Sequence, residues 1–233
     1  MALTDNLISY WKLNEVSGAR ADSVGTNNLT DNNTVAGVAG KIGNATQHVA
    51  VNLEYLSIAS NATLQTGDID FTWACWAQVA TKTARQGIIV KDANVAGAAY
   101  LLEYENTQDR FRCRIDVSAT LRADILGSPT ANTWYFLVFW HDSTANTINI
   151  QGNNGVANSA ALVHDGLTDA APFEIGRFIT FYLDGMVDEV GFWKRVLTAQ
   201  EKTDLYNGGA GLSYPFTSGS GQSHFKNAIR IGI

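Results

Sequence analysis

The sequence predicts an all-β fold, an antiparallel β-sandwich or jelly roll with one short helix near the C-terminus. About a dozen short strand-like stretches follow one another at regular spacing, separated by turn residues. Only residues 198–208 carry the signals of a helix. No internal repeat is present, and 233 residues suit one large all-β domain.

Residues 7–13, LISYWKL, form the first strand. Residues 14–39 are rich in Gly, Asn and Thr and predict a long irregular loop, interrupted at Asn28, Leu29 and Thr30. Residues 40–45 read as a turn. Residues 49–58 carry short strand signals, with Val49, Val51, Leu53 and Tyr55 on one parity. The strongest strand is Phe71–Val79, FTWACWAQV, where Phe71, Trp73, Cys75, Ala77 and Val79 share a face and Trp76 lies on the other. Residues 88–90, 100–104 and 110–117 continue the series. In the last, Phe111, Cys113, Ile115 and Val117 alternate with Arg112, Arg114 and Asp116, as in a half-exposed antiparallel strand. Residues 134–141 are nearly all apolar and predict a strand buried on both faces. Residues 147–151 and 173–176 follow.

The closing stretch, FYLDGMVDEVGFWKRVLTAQEKTDLYNGG, is the most informative. Asp184 and Gly185 suit a tight turn. Apolar residues then fall on both parities from Met186 to Trp193, predicting a strand covered on both faces and interrupted by Asp188 and Glu189. Thr198 followed by Glu201 is a capping box, and Asn207 and Gly208 end the helix. The expected domain spans residues 1–216. A Gly/Ser linker, 217–223, would then lead to an apolar and basic tail, 224–233, with strand alternation through Ile229, Ile231 and Ile233.

Hydrophobic residues make up 45% of the chain, enough for a core, while charged residues are only 16%, against about 25% in an average domain. The surface is therefore polar but weakly charged. A net charge of −6 with no Lys/Arg cluster argues against nucleic acid and anionic membranes as partners. No run approaches the ~20 apolar residues of a membrane span, so no membrane insertion is expected. Residues 1–11, MALTDNLISYW, lack a basic n-region and a long apolar h-region, so no secretory signal is expected in them. Cys75 and Cys113, both in apolar strands, read as buried free thiols.

Candidate chemistry is sparse. Glycoside hydrolysis needs two carboxylates about 5–9.5 Å apart. Glu103 and Glu105 point to one face, but a turn follows at once and they read as solvated acids at a hairpin end. No nucleophile elbow is present, and the histidines lack metal spacing. The chain is therefore not expected to be an enzyme. Sugar binding needs exposed aromatic faces beside polar groups, and Trp76, Tyr100, Tyr104 and Trp140 lie on strand faces that could supply them.

Several stretches together resemble the concanavalin A-like lectin/glucanase superfamily, in its laminin-G-like jelly-roll branch of bacteria and phages. They are ISYWKLNEVSG with ADSVGTNN, GKIGNA with a later YLSI, DFTWACWAQV, TWYFLVFWHD, and the closing stretch. The resemblance implies two curved antiparallel sheets, and a module that binds glycans or proteins or serves as a structural part of an assembly. It also implies that Asp188 clasps the last strand to the early loop, either through a calcium ion with Asp22, Asn28 and Asp188 as ligands or through hydrogen bonds from loop amides to Asp188 alone. The expected function is a non-catalytic surface or structural binding module. The setting is a virion (decoration or tail-associated) or another extracellular surface, with protein subunits contacted through 224–233 and glycans as further partners. A free carbohydrate-binding module is the alternative, and a polysaccharide hydrolase ranks last.

Overall fold

The computed structural model describes residues 1–91, 99–115, 127–161 and 170–217, and the backbone of 122–124. The expected tail and all but the first residue of the linker lie outside the described residues. Strands β1 (Leu7–Trp11), β2 (Thr30–Asn32), β3 (Ala36–Ala39), β4 (Asn44–His48) and β5 (Tyr55–Ile58) come first. Then follow β6 (Phe71–Val79), β7 (Gln86–Lys91), β8 (Tyr100–Glu105), β9 (Arg110–Arg114) and β10 (Arg122–Asp124). Next are β11 (Tyr135–Asp142), β12 (Thr147–Gly152), β13 (Asn158–Ala161), β14 (Phe173–Ile175), β15 (Arg177–Phe178) and β16 (Phe181–Tyr182). Strand β17 (Gly185–Trp193) and helix α1 (Ala199–Tyr206) complete the set.

One antiparallel sheet runs β13-β12-β11-β6-β17-β4-β3, with β1 also paired to β17. The other runs β10-β9-β8-β7-β14-β5-β2, and β15-β16 form a ribbon against β7. This is the expected jelly-roll sandwich. The inner faces meet around Trp73, which stacks on Phe192 at 4.2 Å, Phe173 at 5.0 Å and Trp11 at 6.2 Å between centroids. Offset stacking of large rings removes much apolar area from water at one point, so this cluster anchors the two sheets.

Strands β6 and β11 are buried on both sides because the eight-stranded sheet carries a second apolar cluster on its outer face. Trp76, Phe136, Val138 and Trp193 lie there under Leu205 of α1 and Leu197. Thr198 caps α1, accepting from the Glu201 amide while Glu201 accepts from the Thr198 amide, and Asn207 closes it in the left-handed region.

The structure departs from the sequence reading in several places, and β4, β10, β13, β15 and β16 are strands that reading does not contain. Residues 14–39 hold β2, β3 and a bridge between Arg20 and Leu29, because edge pairing there is made by backbone groups of polar segments without apolar alternation. Residues 50–52 form a 3-10 turn, so the alternation of Val49, Val51 and Leu53 is not a strand, and Val51 is left 86% exposed. Gly185 starts β17 rather than serving a turn: a Cβ there would lie 2.1 Å from the Gln78 carbonyl oxygen, so close backbone approach demands glycine.

Candidate functional site

The four aromatic residues expected on sugar-binding faces are all buried. Tyr100 and Tyr104 belong to the inter-sheet core, their hydroxyls donating to the Leu64 carbonyl at 3.2 Å and to Asp109 at 2.6 Å. Trp76 is stacked by Tyr206 at 5.8 Å and capped by the Lys41 ammonium at 4.4 Å. The Lys202 ammonium lies 3.6 Å from the Trp140 ring centroid. None presents a free ring, because both faces of these strands are covered.

Glu103 and Glu105 are likewise not solvated. Glu103 is fully buried and accepts from Arg85 and from Arg112 Nε at 2.7 Å, with Arg112 Nη2 at 2.6 Å. Glu105 accepts from the Thr107 hydroxyl at 2.6 Å and from the Thr107 and Gln108 amides. Burial would raise the Glu105 carboxyl, but these hydrogen bonds carry it below the usual range. Acids held in this way are structural.

The three expected calcium ligands each accept hydrogen bonds from backbone amides. Asp22 Oδ1 accepts from the amides of Tyr10 and Val24 and its Oδ2 from that of Asn27, while Asn28 Oδ1 accepts from the Asp22 amide. These bonds fold the early loop onto β1. Asp188 Oδ2 instead accepts from the Lys41 and Ile42 amides, both at 2.9 Å, in the turn between β3 and β4. Asp22 and Asn28 thus hold the early loop together, while Asp188 holds the β3–β4 turn through amides, the alternative to calcium. The register of β17 against β6 slips between Asp188 and Gly191, and Glu189 takes a left-handed φ of 51°. That bulge turns Asp188 and Glu189 away from the core together. Asp188 Oδ1 and Glu189 Oε1 are buried without a hydrogen bond of normal geometry, and they are the oxygens a cation would need. Burial pushes Asp188 up to about 8 and Glu189 to about 7.

An open groove lies instead at one end of the sandwich. Its volume is about 290 Å³, at the small end of ligand sites. Val51 stands on one side, Thr81 and Thr83 from the β6–β7 loop on another, and Tyr182 and Asp184 lead into β17. Gln86 fixes the floor: its Nε2 donates to the Thr81 carbonyl at 2.7 Å and its Oε1 accepts from the Asp184 amide at 2.9 Å. The Ala80 amide donates to the Asp184 carbonyl at 2.6 Å. Tyr182 and Asp184 are half-buried, and Thr81 and Thr83 are exposed. The Tyr182 ring meets Tyr55 edge-on at 6.1 Å, and Tyr55 is held under the Arg177 guanidinium at 3.7 Å. The groove therefore offers a braced ring, a carboxylate that accepts hydrogen bonds, and two hydroxyls that donate or accept them.

Sequence reasoning took Asp184 as a turn residue and passed over Tyr182, Thr81 and Thr83. One signal was available: Tyr182 and Asp184 are two residues apart, which places both on one face of an extended segment. Nothing local shows that the 81–83 loop arrives opposite them.

The chain is thus a two-sheet jelly roll with an open groove at its end. A family model described as the concanavalin A-like lectin/glucanases superfamily matches residues 51–201, and the chain belongs to that family. No curated protein matches the sequence. Among solved structures, the chain is similar to the binding domain of Paraclostridial Mosquitocidal Protein 1, with 15% identity and a TM-score of 0.70 over 88% of this chain and 53% of that one. It is also similar to Trypanosoma rangeli sialidase in complex with sialic acid, with 14% identity and a TM-score of 0.65 over 89% of this chain and 34% of the other. A third is domain 4 of an extracellular arabinanase from Geobacillus stearothermophilus in complex with arabinotriose, with 17% identity, a TM-score of 0.65, and 85% and 97% of the two chains covered. At these identities the likeness shows the fold. The chain spans about half the length of the mosquitocidal binding domain and about a third of the sialidase.

Proposed function

We propose that this chain is a non-catalytic glycan-binding module and that the end groove is its binding site. The observation that carries the reading is that Tyr182, Asp184, Thr81 and Thr83 line one open groove, an aromatic residue and an acid beside two hydroxyl side chains. Sugars are recognised by an aromatic surface under their C–H face and by polar groups around their rim. One similar structure, matched over 97% of its length, holds the neutral sugar arabinotriose, which supports the class of ligand. The non-catalytic part rests on Glu103 and Glu105, both committed to internal bonds. Tyr182→Ala on a glycan array is the test. Saturable binding by the parent chain that falls at least ~tenfold in the variant supports the site, and binding unchanged in Tyr182→Ala removes it.

The finer setting is a virion or similar extracellular surface assembly, with residues 224–233 adding as a strand to a neighbouring subunit. Its support is the alternating isoleucines of the tail and the weakly charged composition. Deleting residues 223–233 should abolish incorporation into such an assembly while leaving groove binding intact. Normal incorporation of the truncated chain would refute the assembly role.

A further inference from the structure

We infer that the groove selects uncharged oligosaccharides and discriminates against acidic sugars, an inference that rests on the glycan-binding reading above. Of the groove's lining residues, Asp184 alone carries a charge. Two cations flank the lining in sequence, and both are engaged elsewhere. The Lys82 ammonium pairs with Asp109 at 2.8 Å and donates to the Ser128 hydroxyl at 2.7 Å and the Pro129 carbonyl at 3.0 Å. The Arg85 guanidinium pairs with the buried Glu103 and lies over the Phe178 ring at 4.4 Å, on the side covered by the β15-β16 ribbon. Arg177, which reaches the Tyr182 hydroxyl, stacks on Tyr55 and is neutralised by its fork onto Glu174.

A sugar carboxylate or sulfate entering the groove would therefore lose its hydration without meeting a cation, and would face the Asp184 charge. A sugar hydroxyl entering the same place donates to Asp184 and exchanges bonds with Thr81 or Thr83, so its desolvation is compensated. The net charge of −6 adds long-range repulsion of the same sign. Recognition of an anionic sugar needs paired donors such as arginine forks, and the forks near this groove are filled from within the protein. Selectivity thus comes from which internal acids occupy the flanking cations.

The experiment compares isosteric pairs that differ only in a hexose or hexuronate terminus, glucose against glucuronate and galactose against galacturonate, each on the same short oligosaccharide. Titration at pH 7 of the full chain should show the hexose form bound at least ~tenfold more tightly. Asp184→Asn should narrow the gap and Asp184→Arg should narrow or invert it, with melting curves confirming that both variants fold. Equal or tighter binding of the hexuronates by the parent chain would overturn the inference while leaving glycan binding standing. So would an unchanged ratio in folded Asp184→Arg. Failure of the parent chain to bind any oligosaccharide on the array would overturn the glycan reading itself, and the inference with it.

Discussion

Glu103 and Asp188 are both fully buried carboxylates, yet the protein stabilises them by different means. Glu103, on the β8–β9 hairpin, lies between the guanidinium groups of Arg85 and Arg112, so full charges of opposite sign compensate its desolvation. Asp188, on the β17 bulge, is met by backbone amides, those of Lys41, Ile42 and Glu189, and by no ion pair among the described residues. Neutral dipoles hold a carboxylate less strongly than a guanidinium fork does. Burial consequently pushes Asp188 up to about 8. The contrast teaches that a buried acid is not by itself a reacting group. One of these ties strands together and the other ties the last strand to an early turn, while the groove that suits a ligand uses a third acid, Asp184, left half-buried.

The largest effect should come from breaking the guanidinium-compensated site. Glu103→Ala leaves the largely buried Arg112 without its counter-charge and should cost about 3–5 kcal/mol in urea unfolding. A loss below about 1 kcal/mol would mean that Arg85 and Arg112 reach water easily, and the contrast with Asp188 would collapse.

Titration sharpens the other half. The folded Asp188 carboxyl lies near 8, above its unfolded value of about 3.9. The native state therefore holds the proton more tightly than the unfolded chain. Stability is favoured at low pH and is lost as pH rises from about 4 through about 8, by an amount on the order of a few kcal/mol. Glu189, pushed to about 7, adds a loss of the same sign. Unfolding free energies between pH 5 and 9 should fall with pH in the parent chain and flatten in Asp188→Asn. Parallel slopes would show that the group does not titrate in this range.

A third buried acid gives a smaller effect. Glu201 pairs with Arg195 through two bonds of 2.7 Å and also accepts from the Thr198 amide at 2.8 Å. Burial would raise its carboxyl, but these bonds hold it below the usual range. Thr198→Ala removes only the cap and should cost about 1 kcal/mol, a drop of a few degrees in melting temperature. A loss as large as that of Glu103→Ala would make the cap a core element. The smallest effect expected is that of EDTA, which should leave the melt unchanged if amides alone hold Asp188. A clear fall would place a cation on Asp188 Oδ1 and Glu189 Oε1.

Much of the scaffold was legible because strand alternation and capping are local. Phe71–Val79 has the boundaries its pattern implies, and the Thr198 and Glu201 box forms as its spacing requires. The β17 bulge was not legible: alternation assumes an unbroken period of two, and one residue at positive φ turns Asp188 and Glu189 to the same side. The aromatic faces of Trp76 and Trp140 looked available because their strands were read singly. The lysines that cover them come from the turn at 40–43 and from α1.

By itself the sequence determined the all-β class, the main strands, the capped helix and the family, since each depends on residues close together in the chain. Tertiary structure alone decided which face of each strand is covered, which acid meets a guanidinium, and where a groove remains open. Those properties depend on segments distant in sequence, such as residues 51, 81 and 184, arriving at one place. The energy that sets them, desolvation against compensation, exists only once those segments have met.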